Sequence, residues 1–409
     1  MEPDLAARGT QGFRRISTFG VGGVAVGIYW VVFAVKSIIF SDIVISGLFY
    51  PFYLGFLLII AVNLLGGRQR VEPLPFWVMA VFLAVIAASF IGFDEPVDQS
   101  VIQGVIVPLM CPLVFLSIQS GRGIRTTATL SLVAGLAISI WIIVNSALSG
   151  FQYRGDVDIN QNVAAFVVGL SLIVGISLLL TPHKNDGPLR QVALVLVTGA
   201  MGYAILLLAS RGMTIALVVA LFTTLASILT WHRGALRTAL FALLALSATL
   251  LLPGGTGLFE RFEGESVDSA GDRIPIWLAV VEDAKDGSLR ELAFGHGFRA
   301  SRPIVRSATG VLESTHNAYL ALLYEYGTFG LSVFLALHGA IAAMALSRPN
   351  RYSSMAFGIV CFLLVANVSS TDHEDFMYWL ALGFAVACVT FGWQAAGRTP
   401  PMNIERCNP

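Results

Sequence analysis

Charge is scarce in this chain of 409 residues, since Asp, Glu, Lys and Arg make up only 12% of it, about half the share in an ordinary water-soluble domain. Hydrophobic residues reach 56% and the mean hydropathy is +0.78, so most of the chain belongs in a bilayer. Net charge is absent too. Lys plus Arg and Asp plus Glu both total 25, which leaves no global positive field for a polyanion and argues against nucleic-acid binding as the main role. Any electrostatic function must therefore be local. Cysteine is sparse, with Cys111, Cys361 and Cys388 inside apolar runs, where Cys acts as a small hydrophobe, and Cys407 apart from them. This pattern gives neither a disulfide framework nor a zinc site. The polar first fifteen residues carry Arg8, Arg14 and Arg15 and lead into a full apolar span without a small-residue cleavage pattern, so no removable signal peptide is expected.

What is present is a long series of apolar runs. With about 20 residues needed per spanning helix, the expectation is an all-α integral membrane protein of about twelve transmembrane helices. These fall at 16–38, 44–65, 75–93, 101–118, 128–148, 163–180, 192–209, 213–231, 236–252, 328–346, 355–370 and 378–394. The runs 192–209 and 213–231 read as a hairpin turning at Ser210, Arg211 and Gly212, because one helix of that combined length would be twice a bilayer thickness. Residues 1–409 are expected to form a single polytopic domain, with no soluble domain at either end and no internal repeat.

The Lys and Arg bias of the short loops sets the orientation. With both termini cytoplasmic, the inner segments collect Arg68, Arg70, Arg122, Arg125, Lys184, Arg190, Arg233, Arg237, Arg348 and Arg351. The short outer loops collect acids, among them Asp94, Glu95, Asp98, Asp156, Asp158 and Asp372 to Asp375, and their basic residues are Arg154 and Arg211 alone. Lys36 sits near the outer end of the first span and can snorkel. The one long connection, 253–327 between spans nine and ten, faces outward and is where chemistry is expected. Within it Trp277, Val280, Val281 and Ala284 recur at helical spacing, Asp272 is a candidate N-cap and Pro275 fits a first turn. An interfacial amphipathic helix across the bundle mouth is expected.

Positive charge on the outer side runs against the topological bias, so Arg211 at a tight hairpin tip calls for a reason. A turn residue snorkelling to headgroups is one reading. An anion clamp is the other, since a guanidinium fork matches phosphate with paired, charge-assisted hydrogen bonds. Arg273 would supply a second fork, or simply pair with Asp272 or Glu282. Arg154 is a third candidate, with Asp156 and Asp158 close enough to neutralise it.

The most specific local pattern is Ser314-Thr315-His316-Asn317, followed nine residues later by Gly327-Thr328-Phe329-Gly330. On a regular helix His316, Leu323, Gly327 and Gly330 share one stripe, and the glycines admit a neighbouring helix. Imidazole in its unperturbed state titrates at about pH 6.5, which suits proton removal from an attacking hydroxyl. A hydrogen-bonding role at a helix start is the plainer alternative for His316.

This His-Asn, nine residues, Gly-x-x-Gly pattern resembles the signature of the O-antigen ligase and O-antigen polymerase superfamily of bacterial membrane glycosyltransferases. Ser210-Arg211-Gly212, Asn160-Gln161-Asn162 before the sixth span, Gly271-Asp272-Arg273 with Trp277, and Gly295-His296-Gly297 add to the resemblance, which runs from about 150 to 346. The resemblance implies an inverting, metal-independent and cofactor-free transfer of a glycan from undecaprenyl diphosphate on the periplasmic face of the inner membrane. It implies Arg211 and Arg273 as diphosphate contacts and His316 as general base, with Asn317, Gly327, Gly330 and Ser210 in support. Arginines can take the place of a metal here because the leaving group is already a diphosphate.

Ligase and polymerase share this chemistry and differ in acceptor, a lipid A-core sugar for the first and a second carrier-linked glycan for the second. The intact His motif favours the ligase, while the spacing from Arg299 to Gly310 is of a kind described for polymerases. His296 is a second outer histidine, in a setting that reads as a flexible turn. Asp372-His373-Glu374-Asp375 has ligands suited to a divalent cation, although adjacent residues rarely converge on one ion and a solvated loop is the favoured reading. His338 reads as a packing residue with a helix partner, and His183 and His232 fall on the inner side. A lipid or sugar transporter is the rival from another class, disfavoured because ionisable groups near mid-span are almost confined to His338.

Overall fold

The structure is a computed structural model of the chain that describes residues 21–39, 73–89, 99–118, 120–149, 161–182, 186–231, 273–310, 314–348, 351–370 and 375–395. Every regular element among the described residues is a helix. In chain order they are α1 (Val21–Ile39), α2 (Pro73–Ser89), α3 (Gln99–Ser117), α4 (Gly121–Leu148), α5 (Gln161–Leu180), α6 (Pro188–Leu208), α7 (Arg211–Trp231), α8 (Arg273–Lys285), α9 (Leu289–Phe294), α10 (Ser301–Thr309), α11 (Ala318–Ser347), α12 (Arg351–Ala366) and α13 (Phe376–Ala395). Helices α1 to α7 and α11 to α13 coincide with expected spans, and α4, α5, α6, α7 and α11 are long and apolar enough to cross a membrane. The architecture is that of a multi-pass membrane protein. The expected spans 44–65 and 236–252 lie outside the described residues, as do the loop portion 253–272, Arg154 and Asp372 to Glu374.

Helix α5 is apolar on every face and buried along nearly all of its length, as a central bundle helix must be. Small residues let its neighbours close in. A Cβ on Gly169 would lie 2.9 Å from the Phe362 ring of α12, and one on Gly175 would lie 2.7 Å from Thr198 of α6. Helix α4 starts at Ser120, whose hydroxyl accepts the Gly123 amide at 3.1 Å. Buried Ser139 of α4 and Thr198 of α6 return their hydroxyls to the carbonyls of Gly135 and Leu194 one turn earlier, each at 2.7 Å, so these two groups need no water. Around α13 an aromatic core of Trp30, Phe82, Phe334, Trp379 and Phe384 joins α1, α2 and α11.

Helix termini converge at one end of this bundle. The end of α6 and start of α7 meet the start of α5 through Ser210 and Asn162, and the start of α7 meets the end of α12 where Gly212 faces Ser369. The start of α11 joins there too, through the Ala318 amide and the carbonyls of Asn367 and Ser370. Helices α8, α9 and α10 form a short layer against α11. Its own small core is Ile276, Val280, Val305 and Tyr324, flanked by Trp277, Ala284, Ile304 and Leu320.

A helix is present where the amphipathic one was expected, with Pro275 in its first turn as anticipated, but apolar residues lie on both of its faces. Its inward face differs by one residue from the expectation. Ile276 joins Trp277, Val280 and Ala284 inside, while Val281 faces out with Ile274 and Leu278. The reason is that α8 must satisfy both α10 and α11, which turns its inner stripe toward Ile276. Its outer apolar side is what an interfacial helix presents to lipid.

Candidate functional site

Arg211 opens α7 two residues after Ala209, which caps α6 in the left-handed region at φ 49°. That conformation is uncommon for a residue with a Cβ, and here it reverses the chain within two residues. Ser210 is buried in the turn, donates its hydroxyl to Asn162 Oδ1 at 2.8 Å and accepts the Thr214 amide on its carbonyl at 2.9 Å. The Asn162 side chain thus ties the start of α5 to the expected hairpin. Gly212 presses so closely on Ser369 that a Cβ would fall 2.0 Å from the Ser369 hydroxyl. Only glycine admits that contact.

Arg273 begins α8 and donates from Nη1 to the Ser369 carbonyl at 3.0 Å. Partial burial lowers its pKa through loss of hydration. One hydrogen bond to a backbone carbonyl leaves a fork with five donors well able to take an anion.

His316 stands in a turn ahead of α11 with φ 51°. Its neighbours are heavily fixed. The Thr315 carbonyl accepts the Trp277 indole at 2.9 Å, the Thr315 hydroxyl donates to the Asn317 carbonyl at 2.8 Å, and the Asn317 side chain caps α11 by accepting the Leu320 amide at 3.1 Å. The Ala318 amide is shared by the carbonyls of Asn367 and Ser370, each at 2.9 Å. A left-handed residue with a Cβ costs about 1–3 kcal/mol and persists where surrounding bonds over-determine it, which happens most at functional sites.

The single helical stripe expected through His316, Leu323, Gly327 and Gly330 is not formed. His316 lies before the first helical turn, and α11 breaks at Gly327, where φ is 68° and ψ −174°. Gly327 does serve close approach, whereas Gly330 meets its neighbouring helix at ordinary contact distance. A Cβ at Gly327 would fall 2.3 Å from the Ala293 backbone of α9, and one at Gly330 would lie 3.4 Å from Val85 of α2.

His296 belongs to the same crossing. Its backbone amide and its ring Nδ1 both face the Tyr324 carbonyl, at 2.9 and 3.2 Å, and the ring stacks on Tyr324 with centroids 4.2 Å apart. This turn is pinned instead of flexible, because Gly295 and Gly297, both at positive φ, let the chain run against the α11 backbone. Nearby, fully buried Glu325 accepts the Ser301 hydroxyl at 2.7 Å and so seats α10 on α11. Asp375, the described member of the acidic cluster, accepts the Met377 amide at 2.7 Å at the start of α13. Gly310 ends α10 as a left-handed cap at φ 78°, which gives the Arg299 to Gly310 spacing a local structural cause.

One element of the site was missed in the sequence. The turn Asn367-Val368-Ser369-Ser370 at the end of α12 touches all three parts, through Gly212 beside Arg211, the Arg273 guanidinium and the Ala318 amide after His316. A run of four residues with three polar side chains, closing an otherwise apolar span, was the available signal.

Residues 194–335 match a family model described as O-antigen ligase. This supports the resemblance of the chain to the O-antigen ligase superfamily of membrane glycosyl-transferring enzymes. The matched segment contains Ser210, Arg211, Arg273, His316, Gly327 and Gly330, while Asn162, the 367–370 turn and α13 lie beyond it. No curated protein matches the chain.

Proposed function

We propose that the protein is an O-antigen ligase-like glycosyltransferase, moving a glycan from undecaprenyl diphosphate to a lipid A-core sugar hydroxyl at the periplasmic face of the inner membrane. The observation that carries this reading is the 367–370 turn, which assembles a strained histidine and two arginine-bearing helix starts at one bundle end. Helix starts also bring a positive dipole end, which is favourable to a diphosphate.

In this mechanism Arg211 and Arg273 hold the donor's diphosphate, with Arg154 as a further candidate contact. The His316 imidazole takes the proton of the acceptor hydroxyl as that oxygen attacks the anomeric carbon from the face opposite the diphosphate. The carbon–phosphate-oxygen bond breaks, the configuration inverts, and undecaprenyl diphosphate leaves with its charge spread over the guanidinium groups. These groups act where charge develops in the transition state, which is what accelerates the step. A metal and a cofactor have no part in this proposal.

The deciding experiment supplies the purified protein with an undecaprenyl-diphosphate-linked oligosaccharide, with and without lipid A-core. Product that forms only when core is present supports the ligase. A ladder without core would mean the polymerase, which joins carrier-linked units, and vesicle uptake without product would mean a transporter.

A further inference from the structure

His338 lies about two thirds of the way along α11, fully buried, and the proposed chemistry makes no use of it. Its surroundings fix its protons. Nδ1 lies 2.8 Å from the Phe334 carbonyl, a pure acceptor, so Nδ1 carries the hydrogen. A neutral ring then leaves Nε2 to accept, and the Tyr378 hydroxyl of α13 stands 2.5 Å from it. Tyr378 spends its one phenolic hydrogen on His338, and its oxygen accepts Asn367 Nδ2 at 3.1 Å. Turning the Asn367 amide over would set two acceptors against that single hydrogen, so the network determines the amide orientation.

All three side chains have 0% exposure. Polar groups at this depth are costly unless hydrogen-bonded, and this chain of bonds, complete through His338 and Tyr378 to Asn367 Nδ2 with Asn367 Oδ1 left over, fixes one arrangement where apolar packing tolerates several. Packing alone does not call for them, because Phe334, Tyr378 and Trp379 already interlock α11 and α13 through their rings. The chain of bonds ends at Asn367, whose carbonyl accepts the Ala318 amide, two residues before the Ser369 carbonyl that accepts Arg273.

We propose that His338, Tyr378 and Asn367 form a positioning relay, which carries the geometry of the membrane interior to the 367–370 turn and so sets Arg273 and the start of α11. None of the three touches substrate. The functional consequence rests on the donor reading above, whereas the setting of the turn rests on the hydrogen-bond geometry alone.

Three substitutions separate the relay from bulk packing. Tyr378→Phe keeps the ring contacts and removes one oxygen, His338→Leu removes the acceptor, and His338→Gln restores an acceptor at similar reach. The full chain is followed by backbone amide hydrogen exchange and by titration with undecaprenyl diphosphate. Tyr378→Phe and His338→Leu are expected to speed exchange at 316–320 and 367–370 by about tenfold or more, with 194–208 unchanged. They are expected to weaken undecaprenyl diphosphate binding about fivefold, His338→Gln to behave as wild type, and Tyr378→Phe to add no further loss once Arg273 is replaced by Ala.

Unchanged exchange at 316–320 in folded Tyr378→Phe protein would overturn the relay, as would an undiminished fivefold loss in the Arg273→Ala background. Should Tyr378→Phe fail to fold, equal behaviour of His338→Leu and His338→Gln overturns it instead. If the wild-type protein has no affinity for undecaprenyl diphosphate, the donor reading falls and exchange alone decides the relay.

Discussion

The turns around His296 and His316 put two imidazoles on the same layer of the molecule and treat them in opposite ways. At 296 the flanking residues are glycines, which take the positive φ values, and the histidine ring is spent on packing against Tyr324. At 316 the flanking residues are Thr and Asn, locked by four hydrogen bonds to Trp277, each other and α11, and the histidine itself adopts the left-handed backbone. Glycine is the least strained residue for such a turn, as at 295 and 297, although Ala209 and Arg299 take the same left-handed region elsewhere in the chain. The left-handed backbone at His316 is the outlier that motivates the role proposed for it.

The largest test of this contrast exchanges the two roles. His316→Ala is expected to cut glycan transfer by about 10²–10⁴-fold, the usual share of a general base, while undecaprenyl diphosphate still binds. His296→Ala is expected to keep transfer within a few-fold and to lower the melting temperature. Full turnover by a folded His316→Ala protein would remove the base assignment and dissolve the contrast.

Next in size, Arg211→Ala and Arg273→Ala should each weaken undecaprenyl diphosphate binding about 10–100-fold, the range of a charge-assisted contact, measured by titration. His296→Ala should leave that affinity unchanged. Gly295→Ala and Gly327→Ala, which drive a Cβ to 2.2 and 2.3 Å from opposing backbone atoms, should each cost about 2 kcal/mol or more of stability by thermal unfolding, whether or not transfer survives. The smallest effect is the most diagnostic. His316→Gly should raise stability by about 1 kcal/mol while abolishing transfer, because it relieves the left-handed backbone. A loss of stability there would show that the turn is not strained.

Much of the bundle was legible in the sequence because apolar runs of bilayer length constrain the chain locally, and α1 to α7 and α11 to α13 follow them. The Arg211 hairpin was legible too, since forty apolar residues cannot be one span. What escaped was non-local. The 367–370 turn acts mainly through backbone carbonyls, which carry no residue signature, and it meets partners from α7, α8 and α11 that are remote in the chain. His338 was readable as a buried residue with a helix partner, yet nothing in its neighbourhood named Tyr378, 40 positions away. The helical stripe through His316 failed for a related reason, because the pattern cannot show that Asn317 caps the helix and leaves the histidine outside it.

The break at Gly327 carries a consequence of its own. As one unbroken rod, the 30 residues of Ala318–Ser347 would reach about 45 Å, half as long again as a hydrocarbon layer of about 30 Å. Past the glycine, the remaining shaft measures about 30 Å and matches that layer, while the part before it is a separate short segment, packed on the bundle core through Leu322 and Tyr326, with the histidine turn at its start. Inserting one residue in the shaft would lift that segment by about 1.5 Å and swing it by about 100°. The height and bearing of the imidazole relative to the shaft are therefore counted off, residue by residue, from a ruler mark at position 327.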